Sequence, residues 1–170
     1  ACDVCSDVLQ KHMEELLPIG YTEEEMEYAK KFQAVITDLD RAGLKNRAKA
    51  LGGKKANELL ETPLWDFMTY SKGGSKGSTD VGDVQHICPG VFFNTACYAL
   101  GVPGHSWQIT ASTGSSIGEK GMTHAARAMA LCALKVIENP EILKEAKAEF
   151  DEAMGGKKYI CPIPAEIPVP

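Results

Sequence analysis

Hydrophobic residues recur at helical spacing near the start of the chain, in segments closed by a proline or a glycine. Residues 3–17 carry one apolar stripe that ends at Pro18, and this spacing predicts an amphipathic helix. A second helix is predicted from Thr22 to Gly43, because Thr22 and Glu25 form a capping box at its start. Its predicted buried stripe consists of Met26, Ala29, Phe32, Ile36 and Leu39.

The same periodicity returns in the last third of the chain. Ser116 and Glu119 form a second capping box, which predicts the start of a long helix. Its apolar positions, which include small residues for close packing, are Met122, Ala126, Met129, Ala133, Val136 and Ile137. Asn139 predicts the cap of a further helix, with Pro140 at its first position and Gly155 at its end.

The middle of the chain has a different pattern. Residues 44–77 carry only short apolar pieces, and we expect a connection there with one or two turns of helix. Residues 91–100 form an apolar and aromatic run bounded by prolines and glycines, which predicts a buried strand. Because one strand cannot satisfy its own backbone hydrogen bonds, the pattern indicates an α/β fold whose sheet needs further strands.

Composition excludes some classes of function. The length of 170 residues suits one domain, and the net charge of −5 without a long basic block argues against a nucleic-acid partner. No apolar run approaches the roughly 18 residues of a membrane span. Six cysteines spread through apolar stretches favour reduced thiols in the cytoplasm. The chain starts at Ala1 without a methionine, as methionine removal or excision from a longer polypeptide would produce.

A short loop at residues 77–83 concentrates polar chemistry. It holds two carboxylates, two hydroxyls and two glycines directly before an apolar stretch. Glycines allow close backbone approach, and hydroxyls can bind a carboxylate or a developing oxyanion, so the loop is a candidate binding site. The same residues also suit the cap of a short helix through Cys88, and both interpretations stay open at this point.

A histidine follows the predicted strand on a stiff turn. Pro103 and Gly104 precede His105, and ligands commonly bind at the carboxyl ends of strands. A lone loop histidine is more often solvated than metal-bound. Together with the loop at 77–83, however, His105 predicts two walls of one site.

A pair of cysteines and a histidine–cysteine pair give a competing hypothesis of a small zinc module. Cys2 and Cys5, with His86 and Cys88, provide four groups that bind zinc. Their spacing is weak evidence, since free cysteines are often buried in the core. The module requires these four groups to converge in space.

Three motifs in a specific order resemble the metal-dependent amidohydrolase and peptidase family. They are Gly-Ser-Thr-Asp-Val-Gly-Asp-Val at 77–84, Pro-Gly-His-Ser-Trp-Gln at 103–108 and Ser-Ser-Ile-Gly-x-Lys-Gly-Met at 115–122. The family includes carboxypeptidase G, aminoacylases and proteins related to aminobenzoyl-glutamate utilization protein B. The resemblance covers nearly the whole chain. It implies that residues 1–170 form the carboxyl-terminal segment of a single catalytic domain, without the lid and the amino-terminal half.

The resemblance also implies a fold and a site. The expected fold is part of a three-layer zinc-exopeptidase domain, a mixed sheet flanked by helices. The family cleaves an amide bond next to a carboxylate with one or two Zn or Mn ions, and His105 matches its last metal-ligand histidine. Ser78, Thr79 and Asp80 match the loop that lines the substrate pocket, whereas Asp83 matches less securely. The general-base Glu and the other metal ligands are expected outside this chain.

Two hypotheses of different classes follow. In the first, the chain is a cytoplasmic segment of a metal-dependent amidohydrolase that acts on an N-acyl amino acid or an aminobenzoyl-glutamate-like substrate. Alone it should be inactive, because one histidine does not complete a catalytic metal site. Its partners would be the missing amino-terminal half and, in the intact enzyme, further copies in a homo-oligomer. In the second hypothesis, the chain is a structural or binding module without catalysis.

Overall fold

The computed structural model describes residues 2–51, 53–69, 79–164 and 166–167. Over these residues the regular structure is helical throughout. The helices are α1 Asp3–Glu15, α2 Glu23–Ala34, α3 Asp38–Leu51, α4 Gly53–Glu61, α5 Val81–Gln85, α6 Trp107–Thr113, α7 Ser116–Glu138 and α8 Pro140–Met154.

The predicted strand does not form, so the predicted α/β fold with a mixed sheet flanked by helices is wrong. Residues 91–100 are irregular, and the described part of the chain contains no strand. An extended segment becomes a strand only when a neighbour takes its backbone hydrogen bonds. Here those bonds go elsewhere: the Tyr21 hydroxyl donates to the Ala96 carbonyl, and the Leu100 amide donates to the Pro63 carbonyl at 2.8 Å.

The predicted second helix is two helices. The capping box of Thr22 and Glu25 is confirmed, but α2 ends at Ala34 and α3 begins at Asp38. The break coincides with a further capping box, in which the Asp40 amide donates to Thr37 Oγ1 at 3.2 Å and the Thr37 amide donates to the Asp40 carboxylate at 3.0 Å. Leu39 therefore lies outside the buried stripe and is 81% exposed.

Residues 44–61 form more helix than their weak apolar pattern predicts. The predicted connection with one or two helical turns is wrong for the described residues, because α3 and α4 cover most of this range. Ala48 on α3 and Leu59 on α4 are buried together with Leu100, and Trp65 packs against them. Three buried apolar residues from separate segments thus stabilise helices that their own sequence specifies poorly.

The boundaries of α1 and α8 agree with the predictions. α1 ends at Glu15, shortly before Pro18. α8 has Pro140 at its start and ends at Met154, and its C-cap Gly155 adopts the left-handed conformation with φ 56°.

The start of α7 differs in detail, since no capping box forms there. The Ser115 hydroxyl, one residue before the predicted cap, accepts a hydrogen bond from the Ile117 amide at 3.3 Å.

The long helix α7 buries a different face from the predicted one. Met122 is 64% exposed and Ile137 is 73% exposed, so the predicted apolar stripe faces away from the core. The buried positions of α7 are Ile117, Gly118, Gly121, His124 and Ala128.

The chain forms two compact units, whose boundaries fall within α1 and α7. The first contains residues 1–12, 72–93 and 131–170, and the second contains residues 13–71 and 94–130. The second unit contains the cluster of Ala48, Leu59 and Leu100 and a further buried cluster of Ala29, Phe32, Ile36, Leu64, Ala99, Val102 and Ile117.

None of the helices in the described residues combines the length and the apolar character that crossing a bilayer requires.

Candidate functional site

His105 lies on an ordered turn directly before α6. Ser106 is the N-cap of α6, and its hydroxyl accepts from the Ile109 amide at 3.4 Å and donates to the Pro103 carbonyl at 2.7 Å. One side chain thus closes the turn and starts the helix. The turn holds the His105 side chain at the surface.

The His105 backbone adopts an unusual conformation. Its φ is 55°, the one positive value of a non-glycine residue in the described chain. A left-handed residue with a Cβ costs roughly 1–2 kcal/mol, although histidine tolerates this region better than β-branched residues do. Glycine at position 105 would avoid this cost. The imidazole is therefore kept at a position where backbone sterics favour another residue, which is a pattern common at functional sites.

The loop predicted to bind substrate leads into α5. Ser78 lies outside the described residues. The Thr79 hydroxyl accepts from the Val81 amide at 3.4 Å, and the exposed Asp80 is the N-cap residue without a side-chain bond to the helix. Thr79 therefore has the capping role that a purely structural interpretation expects. The Asp80 carboxylate has no such role.

Asp83 is engaged in a contact that the sequence did not indicate. Its carboxylate accepts a hydrogen bond from the Tyr159 hydroxyl at 3.0 Å, and the ring of His86 lies 6.5 Å from the Tyr159 ring. Burial and the adjacent Asp83 carboxylate raise the pKa of the Tyr159 hydroxyl to about 12, so Tyr159 is a donor at neutral pH. This contact gives Asp83 a structural role.

The predicted site residues divide between the two units. His105 belongs to the second unit, whereas Thr79 and Asp80 belong to the first. Their convergence in one pocket stays a prediction.

The described residues do not by themselves fit a catalytic metal. No three side chains of His, Cys, Asp or Glu among them are grouped closely enough to share an ion. A catalytic zinc site takes three protein ligands and keeps a fourth position open. Among these residues His105 could supply one ligand at most.

The zinc module built on Cys2, Cys5, His86 and Cys88 is wrong, since these four described residues form no metal-binding group. Burial raises the pKa of the Cys2 thiol to about 12, and this thiol donates to the Glu149 carboxylate at 3.3 Å. A protonated thiol is a poor metal ligand. Cys2 is therefore a core residue, as the competing interpretation of these cysteines expects.

The motif at 115–122 makes specific contacts whose roles the sequence did not reveal. The Lys120 ammonium donates to the Glu25 carboxylate at 2.6 Å and to the Gly20 carbonyl at 2.8 Å. Burial alone would raise the pKa of the Glu25 carboxyl, but hydrogen bonds from Lys120, Ser116 and the Thr22 amide lower it to about 2. The lysine of the motif thus anchors the start of α2 to α7.

Glycines of this motif permit close packing. A Cβ at Gly121 would lie 2.3 Å from the Ala96 carbonyl oxygen and 2.7 Å from Cys97 Sγ. At Gly118 a Cβ would lie 2.1 Å from the Thr113 carbonyl oxygen. Both positions therefore need glycine because a backbone carbonyl approaches closely.

Comparison with known proteins confirms the resemblance: the chain is a homologue of proteins named as hydrolases and peptidases. It is similar to a subunit of the p-aminobenzoyl-glutamate hydrolase of Escherichia coli (strain K12), with 31% identity over 160 residues, 86% of this chain and 32% of that protein. The chain spans about one third of that relative. No family model matches the chain, and no solved structure matches it significantly.

Two mammalian proteins match a shorter part. The Xaa-Arg dipeptidase of Homo sapiens is 32% identical over 89 residues, 51% of this chain and 20% of the dipeptidase. The Xaa-Arg dipeptidase of Mus musculus is 35% identical over 79 residues, 45% of this chain and 18% of the dipeptidase. All three relatives carry names of hydrolases or peptidases.

Proposed function

We propose that the chain supplies part of the active site of a metal-dependent amidohydrolase. The proposed substrate is a small amide with a carboxylate, such as an N-acyl amino acid or an aminobenzoyl-glutamate-like molecule. The observation that carries the proposal is the similarity to the Escherichia coli p-aminobenzoyl-glutamate hydrolase over 86% of the chain. The names of the two Xaa-Arg dipeptidases support a related reaction.

His105 is the proposed metal ligand from this chain. Its exposed imidazole stands on a turn that the Ser106 hydroxyl closes, and its left-handed backbone is retained at an energetic cost. The bound ion, Zn or Mn, would supply Lewis acidity to the amide carbonyl and an activated water. In this proposal the other ligands and the general-base Glu lie outside this chain.

The loop before α5 is the proposed substrate-binding element, through Ser78, Thr79 and Asp80. The Asp80 side chain is exposed and forms no capping hydrogen bond with α5. The Thr79 hydroxyl accepts a hydrogen bond from the Val81 amide, which holds Thr79 against the start of α5. A polar side chain held in place in this way can orient a substrate at a small entropic cost.

The proposal extends to the assembly and its compartment. The relative's name describes one subunit of a hydrolase, which supports a partner subunit for this chain too. The chain would act in the cytoplasm as the carboxyl-terminal part of one catalytic domain, and the intact enzyme would form a homo-oligomer. Reduced cysteines, all six of which are free in the structure, suit that compartment.

A chimera tests the role of His105. In the similar subunit of the Escherichia coli p-aminobenzoyl-glutamate hydrolase, this chain replaces the region that it matches, and the product is assembled with the rest of the hydrolase. His105→Gln in the chimera is expected to lower kcat/KM for p-aminobenzoyl-glutamate by about 100-fold or more, because a ligand to the metal is lost. Arg47→Gln, at an exposed position on α3, is the matched control and should leave kcat/KM unchanged.

His105→Gly separates a functional role from a structural one. Glycine adopts the left-handed conformation without strain. The free energy of unfolding of the variant should therefore equal that of the parent or be about 1 kcal/mol higher. It should nevertheless lose activity and bound metal as His105→Gln does. Full activity in both folded variants would contradict the assignment of His105.

A further inference from the structure

A pocket of about 260 Å³ lies between the first half of α7 and the connection from α1 to α2. It belongs entirely to the second unit and does not include His105. Its lining residues are Leu16, Pro18, Ile19, Glu119, Lys120, Thr123, His124 and Arg127.

The polar wall of the pocket is one face of α7. Lys120, Thr123, His124 and Arg127 follow the spacing of three and four residues that places side chains on one side of a helix. Lys120 is already bonded to Glu25. Arg127 is exposed, and no described residue forms an ion pair with it.

His124 is the buried polar group of this wall. It is 4% exposed, and no described residue forms a hydrogen bond with its ring. Burial and the nearby Arg127 lower the pKa of the imidazole, against the opposing effect of Asp66, so the ring is neutral at pH 7. A neutral imidazole offers one donor and one acceptor to a bound molecule.

The wall that faces α7 is apolar, and the charged side chains along α7 differ in sign from one end of the pocket to the other. Leu16, Pro18 and Ile19 provide hydrocarbon surface. The carboxylate of Glu119 lines one end, eight residues and about 12 Å of helix away from Arg127. The Asp66 carboxylate, which acts on His124, accepts hydrogen bonds from the Ile19 and Gly20 amides. The positive charge of Arg127 therefore suits an anion at its end of the pocket, and the apolar wall suits the body of the ligand.

We propose that this pocket binds a small carboxylate with an apolar body. Arg127 would bind the carboxylate through two parallel hydrogen bonds, which is the geometry that a guanidinium and a carboxylate favour. The Thr123 hydroxyl and the His124 ring would donate to the same group, and Leu16, Pro18 and Ile19 would cover the apolar part. The site is separate from the residues proposed for hydrolysis, and its occupancy is measurable without any hydrolytic activity.

Titration of the 170-residue chain with benzoate tests the proposal by calorimetry and by NMR of the histidine rings. Benzoate should bind and shift the His124 ring signals, and Arg127→Gln should weaken binding by about tenfold or more. Thr123→Val should weaken binding less, because only one neutral hydrogen bond is lost.

Two controls decide what the pocket recognises. Benzamide has the same ring without the negative charge and should bind at least tenfold more weakly, by the loss of the charge-assisted bonds. Arg47→Gln should leave benzoate binding unchanged. Equal binding of benzoate and benzamide, or benzoate binding that folded Arg127→Gln retains, would overturn the proposal.

Discussion

At the scale of single residues, the motif at 115–122 is explained by packing and by one ion pair. Ile117 is fully buried, Gly121 faces the Ala96 carbonyl, and Lys120 bonds to Glu25. These contacts connect the start of α7 with the 94–100 segment and with α2. The motif therefore builds the second unit whether or not its residues also contact a substrate.

Gly121→Ala is expected to destabilise the chain by about 1–3 kcal/mol, because backbone atoms of Ala96 must move to admit a Cβ. The measurement is urea unfolding followed by circular dichroism. Gly43→Ala is the matched control, since a Cβ at position 43 on α3 meets nothing within 4 Å. It should stabilise the chain by about 0.5–1 kcal/mol. Equal effects of the two substitutions would contradict the role of close packing at Gly121.

The Glu25 carboxyl predicts a pH dependence of stability. Its pKa is about 2 in the folded chain and 4.5 ordinarily, so the unfolded state takes up a proton first as the pH falls. The stabilisation is complete above pH 4.5 and is lost as the pH falls through about 2. The free energy of unfolding of Glu25→Gln should therefore fall less than that of the parent as the pH is lowered between these two values. An identical loss in both would rule out this ion pair as the source.

At the scale of elements, local capping signals predicted boundaries better than apolar spacing predicted burial. Thr22 and Glu25 correctly predict the start of α2, and Pro140 and Gly155 correctly predict the two ends of α8. These signals act within one turn of helix, so the sequence alone expresses them. Thr37 with Asp40 is a further local signal, and it ends the predicted long helix.

Tertiary contacts decided the elements that the sequence could not predict. The apolar run at 91–100 indicated burial, but burial alone does not specify a pairing partner, and no strand forms in the described residues. On α7, the spacing of the apolar side chains predicted that the face with Met122 and Ile137 is buried. The structure buries the face with Gly121 instead, since the missing side chain lets a backbone carbonyl approach.

One helix end depends on a residue far away in the chain. The Glu149 carboxylate on α8 accepts from the Asp3 amide at 2.6 Å and from the Val4 amide at 3.0 Å, at the start of α1. These two amides lower the pKa of the Glu149 carboxyl. A carboxylate in this position also stabilises the positive end of the helix dipole.

Glu149→Ala should lower the midpoint of thermal unfolding by about 2–4 °C, because two amides at the start of α1 lose their acceptor. Amide exchange at Asp3 and Val4 should accelerate at the same time. Glu145→Ala, at an exposed position of the same helix, should change neither quantity. If exchange at the two amides stays as slow in Glu149→Ala, the capping role is wrong.

At the scale of the whole molecule, the three motifs predicted the class of homologues but not a complete site. His105 and the pair Thr79 and Asp80 lie in separate compact units, and the described residues lack a group of metal ligands. The chain spans about one third of its Escherichia coli relative. A site that is assembled from distant segments needs all of these segments. The sequence of one segment therefore identifies the side chains that it contributes, but not the side chains that other segments contribute.

The central claim is that this chain can complete a hydrolase, and the rate at which the Escherichia coli chimera releases p-aminobenzoate from p-aminobenzoyl-glutamate tests it most directly. We expect release well above the uncatalysed rate by the assembled chimera and none by the 170-residue chain alone. A folded, assembled chimera that releases no p-aminobenzoate, or an isolated chain that releases it as fast, would contradict this claim.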